Sequence, residues 1–484
     1  MRKILFTLTG LIFLIPVSVN GQENNTTKKL SFEEALSLTQ QNSLVVKQAQ
    51  QNIDQKEKEK EATIGLFMPK VSLTASYIYM SDDIHLDLNP VRNAITPLYG
   101  ALGQIPVLPP AVQQKFLSSY KQLNAMDWNQ TIQKKQFGII NAGFTMPLYT
   151  GGKIRTANKA AKIKLSEAKI DSKIKFQKLS HELIERYYGL VLAYNAKKIR
   201  KDVLATMDHH LNDANKLMSE GIIAKAEYLH AKVYHSAAER EFKKAERQVH
   251  IINDALLNTI ALDNSTSITP MSSLFYTNNI ESIEYYWDKA ITNNSLLEKI
   301  DTKKQLAHQA HKIERSEFFP TIAAMGTYEL YDKDFSPYIP EYMVGVGLKW
   351  NLFSGTERIK KLKASKIREM QVETFYQKAE SDIKTAVTKY YQEIQMNLEQ
   401  LKELESALEF ATEYYRVREN AFKEGMATTT EVSDASLAVA KVKIERLQVM
   451  YAFDIALSNL LFYSGISDEF INYMSNSETI YESY

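Results

Sequence analysis

The 484-residue sequence contains no cysteine, so it forms no disulfide, supplies no thiolate to a metal and carries no thiol acceptor for a lipid anchor. Net charge is almost lacking: 59 basic against 57 acidic residues leave +2. That balance gives none of the clustered basic surface that marks a nucleic-acid binder. Beyond the first residues no segment approaches the ~20 apolar positions that a helical membrane span needs. Nucleotide and catalytic signatures are missing as well. There is no Gly-x-x-x-x-Gly-Lys-Ser/Thr loop, no His-Glu-x-x-His and no Gly-x-Ser-x-Gly. The chain is therefore read as a non-enzyme without catalytic residues or cofactor.

What is present begins with Arg2 and Lys3, an apolar run from Ile4 to Leu14, Pro16, and small residues at Val19 and Gly21. This pattern predicts a secretory signal peptide over residues 1–21, cut before Gln22. An anchoring helix is the weaker alternative because the run is too short to span.

The remainder is organised by a duplication. Gly143-Phe144-Thr145-Met146-Pro147-Leu148-Tyr149-Thr150-Gly151 is echoed 204 positions later by Gly347-Leu348-Lys349-Trp350-Asn351-Leu352-Phe353-Ser354-Gly355. At the same offset Glu220-Gly221 returns as Glu424-Gly425, Glu227 as Glu431 and Ala231 as Ala435. A register held over so long a stretch is an internal repeat. Residues 22–263 form the first repeat, 264–277 a polar linker, 278–465 the second repeat and 466–484 a loose tail.

Each repeat reads as helix, hairpin, long helix, tip and return helix. Residues 22–29 are polar and expected to be loose; Ser31 and Glu34 then form a capping box that opens a helix running to about Ile64. After Pro69, Val71, Leu73, Ala75, Tyr77 and Tyr79 alternate with polar residues, the period of a strand. Ile140, Ala142, Phe144 and Met146 supply the second strand. In the second repeat Ile322, Ala324, Tyr328 and Leu330 pair with Tyr342, Val344, Val346, Leu348 and Trp350. The two strands of the first repeat are separated by a long connection, 81–136, containing five prolines, with a short helix conceivable over Gln113 to Leu123. Connections of this length are generally functional or mobile.

Gly151-Gly152 and Gly355 make the strand-to-helix turns. From Lys153 to Ser219 there is no proline and Gly189 is the only glycine, which predicts a helix of roughly 100 Å at 1.5 Å per residue. In its twin, Ile383, Val387, Tyr390, Ile394, Leu398, Leu401 and Leu408 mark a coiled-coil seam. Gly221 and Gly425 suit the left-handed position past a helix end. Thr428 and Glu431 then form a capping box, whereas Ala224 leaves the first return helix without one.

Four strands cannot close a membrane barrel, and unpaired strand edges cannot face lipid. Three copies would give twelve strands, so oligomerisation is part of the expected fold.

In these residues the chain resembles the TolC family of outer-membrane efflux proteins. The resemblance rests on Leu30-Ser31-Phe32-Glu33-Glu34-Ala35-Leu36, on Phe67-Met68-Pro69 and Phe319-Pro320 before the first strands, and on Pro147 to Gly152 and Asn351 to Gly355 after the second. The tip pattern of Gly, an acidic residue six later and Ala ten later completes it, at Gly221, Glu227, Ala231 and at Gly425, Glu431, Ala435. It implies a mainly α protein with a membrane β-barrel: a homotrimer whose 12-stranded barrel in outer-membrane lipid continues into a periplasmic α-helical barrel. The 81–136 loop would then be extracellular. It further implies a passive exit duct for a periplasmic adaptor (a membrane fusion protein) and an inner-membrane pump of RND or ABC type. Glu431 and Asp434 match the acidic ring of the mouth, Glu227 a residue that helps lock it, and Gly221 and Gly425 the adaptor-docking tips. Position 427, where some members carry a basic closing partner, is Ala427.

Several of these residues also suit plainer roles. Glu431 completes a cap whatever else it does, and Asp434 at this position also suits a solvated face. His308 and His311 share a helical face, but no carboxylate completes a metal set with them or with His209, His210, His230 and His235. Tyr77, Tyr79, Tyr328, Tyr331, Tyr342 and Trp350 suit either interfacial girdles or ordinary strand packing. The alternative function, a periplasmic coiled-coil adaptor, would require a β-domain in place of two strand pairs in register.

Overall fold

A computed structural model describes residues 26–263 and 265–482; the expected signal peptide lies outside the described residues. In chain order, β1 (Thr26–Leu30) leads into α1 (Phe32–Asn42) and α2 (Leu44–Ile64). The Ser31–Glu34 capping box forms, with the Glu34 carboxylate accepting from the Ser31 N–H at 2.8 Å. The single helix expected to Ile64 is broken at Ser43. Its hydroxyl accepts from the Val45 N–H at 3.2 Å, ending one helix and capping the next.

β2 (Lys70–Tyr79) is followed by β3 (Ile84–Asp87), α3 (Asn89–Leu102), α4 (Pro110–Ala125), β4 (Asn129–Gln133) and β5 (Gln136–Thr150). Residues 81–136 are thus a small folded module, where one short helix was expected. Its prolines explain the difference: Pro90 and Pro110 sit in first helical turns, where the missing N–H costs nothing. The helices α5 (Lys153–Ser219) and α6 (Lys225–Ile260) follow, then β6 (Thr266–Pro270), β7 (Leu274–Tyr276), α7 (Ile283–Asn293) and α8 (Ser295–Ser316). The second hairpin is β8 (Thr321–Lys333) and β9 (Tyr342–Lys349). After it come α9 (Glu357–Lys423), α10 (Thr429–Tyr463), α11 (Phe470–Met474) and β10 (Ile480–Glu482). α5 and α9 are both 67 residues long.

The chain divides into two compact units. One comprises Asp54–Glu167 and Asp301–Thr374; the other takes the chain up to Ile53, Ala168–Ile300, and Phe375 onward.

In the first, four strands form an antiparallel sheet in the order β2-β5-β8-β9, with no closure of β2 onto β9. Directly opposed residues share a face. Val71, Phe144, Gly326 and Val344 form one row, and Leu73, Ala142, Tyr328 and Tyr342 the next. The opposite face carries Ser72, Gly143, Thr327 and Met343, then Thr74, Asn141 and Glu329. One face is apolar and the other mostly polar or small, with Met325 and Met343 among the exceptions. The apolar face is uncovered in the protomer: Val71 is 77% exposed and Val344 73%.

The second unit holds the core. Phe32, Tyr187, Tyr188, Phe275, Phe453 and Phe470 are each no more than 2% exposed and stack edge-to-face at centroid distances such as 5.6 Å for Phe32–Phe470. The expected seam is present, with Ile383, Val387, Ile394 and Leu401 buried.

Parts of three segments, two expected to be loose and one a polar linker, belong to this core. Residues 22–29 include β1, which pairs in parallel with β6. The 264–277 linker contributes β6 and β7, burying Ile268, Leu274 and Phe275 completely. The 466–484 tail supplies α11, which buries Phe470, and β10, which pairs with β7. Side chains bind these strands from a distance. The Tyr187 hydroxyl donates to the Leu30 carbonyl at 2.8 Å and accepts from the Ser272 N–H at 3.0 Å. Asn253 accepts from the Ile268 N–H at 2.8 Å.

Candidate functional site

The residues singled out in the sequence fall at two places, the helix tips and the strand-to-helix turns. At the first tip Gly221 has φ +74°. Its N–H donates to Met218 at 3.0 Å while the Ile222 N–H reaches Leu217 at 2.9 Å. At the second, Gly425 has φ +73°, and its N–H and that of Met426 reach Phe422 and Ala421 at 3.0 and 2.7 Å. Both are Schellman closures, in which a left-handed residue lets two N–H groups satisfy the last carbonyls. A side chain with a Cβ resists that φ.

The return helices start differently. α10 has the expected capping box: the Glu431 carboxylate accepts from the Thr428 N–H at 2.8 Å, and the Thr428 hydroxyl from the Glu431 N–H at 3.3 Å. These contacts, led by the Thr428 backbone, hold the Glu431 carboxyl below its ordinary range. Arg418 on α9 adds a 3.3 Å ion pair and lies over the Tyr414 ring. With alanine at position 427, this ion pair from α9 is the basic contact Glu431 makes. Ala224 caps α6 without any side-chain bond. Glu227, in that first turn, is half-buried, with one carboxyl oxygen closed off from solvent and making no hydrogen bond.

Asp434 lies one turn beyond Glu431 and is exposed, although Val432, Ser433, Ala435 and Ser436 around it are buried. It accepts from the Tyr234 hydroxyl of α6 at 2.8 Å, a bond that pushes the Tyr234 pKa up. The link joins the two return helices across the repeats. Nothing in the sequence marked Tyr234 or Arg418, because their partners lie on other helices.

Between the C-terminal ends of α5 and α9 lies a groove of about 980 Å³, lined by His209, His210, Leu217, Ile222, Tyr415 and Phe422 among others and reaching Gly425. His210 and Phe422 meet at 5.9 Å with rings perpendicular.

At the turns Gly151, Gly152 and Gly355 all have positive φ. A Cβ on Gly151 would lie 2.7 Å from the Ser316 carbonyl oxygen, so only glycine fits. Lys153 pairs with Glu317 at 2.6 Å, and Arg358 donates to the Glu317 carbonyl at 2.9 Å, fixing both helix starts to the end of α8.

The histidines are dispersed into separate contacts. His308 meets Glu369 at 2.9 Å, His311 the Ser365 hydroxyl at 2.8 Å, and His235 pairs with Asp208 at 2.5 Å. Among the described residues no three His, Asp or Glu side chains gather as a metal site, and no helix is long and apolar enough to cross a membrane.

A duplicated, mainly helical chain with an open sheet, one bare apolar strand face and two glycine-closed helix tips is an architecture shared with solved outer-membrane channels. Residues 287–465, from α7 to just past α10, match the family described as "Outer membrane efflux protein". None of the curated proteins aligns significantly with this chain. Solved structures agree in fold. The outer membrane protein VceC of Vibrio cholerae superposes with a TM-score of 0.68 at 15% identity, over 90% of this chain and 96% of that one. The CmeC outer membrane channel of Campylobacter jejuni gives 0.68 at 10%, over 92% and 89%. The open MtrE channel of Neisseria gonorrhoeae gives 0.67 at 12%, over 90% and 89%. The family match favours the channel over the adaptor reading.

Proposed function

We propose that three copies of this chain close a twelve-stranded barrel in the outer membrane and continue it into a periplasmic helical conduit, an exit duct without an energy source of its own. The observation that carries this is the sheet. Its one face is apolar and bare, its other face is mostly polar or small, and the outer edges of β2 and β9 have no partner strand among the described residues. In hydrocarbon each unpaired backbone group costs several kcal/mol, so β9 of one copy pairs with β2 of the next.

The tips are then the periplasmic mouth. Three Asp434 carboxylates ring it and favour cations; Glu431 holds the second tip in shape, and Glu227 contributes to the closed state at the first. Gly221, Gly425 and the groove between α5 and α9 receive a periplasmic adaptor, which brings an inner-membrane RND or ABC-type pump. The folded module within 81–136 stands at the opposite end of β2 and β5 from the α5 turn, hence outside the cell. Purification in mild detergent tests the reading: a trimer fractionating with outer membrane is expected. A mature chain that is monomeric and folded without detergent overturns it.

A further inference from the structure

Four of the nine histidines lie within 209–235, the first helix tip, and one of them is placed unlike the rest. His210 is 7% exposed, and neither ring nitrogen makes a hydrogen bond. It lines the groove on α5 and presses edge-on against Phe422 of α9. Asp213 and Glu419 line the same groove, but neither bonds to the ring. On its own helix Asp213 turns toward Lys216 at 3.9 Å, with His209 and Glu220 also on the groove wall. On α9, Glu419 pairs with Lys423 at 3.4 Å and Tyr415 adds a phenol. α6 contributes no residue to the groove lining; its His235 is taken by Asp208.

A neutral imidazole suits this seat and an imidazolium does not, since a buried charge without a partner costs several kcal/mol. We propose that His210 is an acid-sensitive latch: neutral, it holds the end of α5 against α9 at the tip; protonated, it leaves Phe422 for the groove and the two helix ends separate. The consequence for conduction rests on the tips being the closable mouth. The latch itself does not.

The sign follows from linkage. Burial lowers the His210 pKa, outweighing the opposing pull of Asp213 and Glu419. The contact is therefore at full strength above the ordinary imidazole pKa of ~6.5 and is lost as pH falls toward the lowered value. One proton is taken up on opening, so the opening constant rises by up to about tenfold per pH unit over that window.

Hydrogen–deuterium exchange of the full-length protein in detergent, corrected for the intrinsic pH dependence of exchange, tests this on peptides spanning 206–223 and 415–427. Between pH 7.5 and 5.0 the wild type should lose protection there by about tenfold or more. His210→Leu should hold its protection at both pH values. His210→Gln, polar but unable to titrate, serves if the leucine variant does not assemble, and should be equally flat. Wild-type protection that ignores pH overturns the latch, as does the same loss in either variant. Because exchange reads the tip whether or not the chain conducts, failure here is separable from failure of the duct, which oligomer size and conductance report.

Discussion

Replacing Tyr234 by phenylalanine removes one oxygen and leaves the ring, so it isolates the bond to Asp434 from the charge of Asp434. A hydrogen bond to an ionised group contributes about 1.5–3 kcal/mol when sheltered. Here the carboxylate is exposed and the phenol only half-buried, so solvent competes and about 0.5–1.4 kcal/mol is reasonable. That corresponds to a shift of about two- to tenfold in the equilibrium between joined and parted return helices. If three protomers part together the free energies triple, giving roughly tenfold to a thousandfold in the concerted opening. Planar-bilayer recording measures both consequences. Tyr234→Phe should raise open probability and leave cation preference intact. Asp434→Ala should raise open probability too, and also weaken cation preference or block by multivalent cations. A phenylalanine variant that opens no more often than wild type refutes the tie between α6 and α10. An alanine variant with unchanged selectivity and block refutes the acidic ring.

The buried carboxyl of Asp454 gives a second test. It is fully buried, with both oxygens sealed and the Phe275 backbone beside them, and burial raises its pKa well above the ordinary 3.8. The folded state keeps a proton that the unfolded chain loses near pH 3.8. Stability from this group is therefore complete below that pH and declines by about 1.4 kcal/mol per unit as pH rises toward the folded value. Asp454→Asn should flatten that slope in thermal melts from pH 4.5 to 8; parallel wild-type and variant curves would exclude the linkage. Gly151→Ala places a methyl against Ser316 and should destabilise by about 1–3 kcal/mol. Gly152→Ala, which meets open space, should cost only the backbone strain of ~1 kcal/mol; equal melting points for the two would contradict the close packing. Phe470→Ala should cost about 3–5 kcal/mol in the same melts, because the tail is core; no effect would return the tail to a loose appendage.

What local chemistry encodes was legible in the sequence. Period-two alternation marked β2, β5, β8 and β9, and spacings of three and four marked the α9 seam. Ser31–Glu34 and Thr428–Glu431 announced their caps, and the glycines at 221 and 425 their helix ends, since each of these signals is complete within a few residues. The signals that misled were local as well. Polar composition made 264–277 look like a linker, although Ile268, Leu274 and Phe275 of its two strands are buried. Prolines made 81–136 look irregular, although two of them start helices.

Sequence alone thus determined the duplication, the strand and helix types, the tip geometry and the family resemblance, because each depends on near neighbours along the chain. Tertiary structure alone decided that the N-terminal strand, the inter-repeat segment and the tail are core. It alone joined Tyr234 to Asp434, Arg418 to Glu431 and His210 to Phe422. Those partners lie 13 to more than 200 positions apart, and which side chains meet there is set by how the long helices are rotated and packed against one another, which no short pattern records.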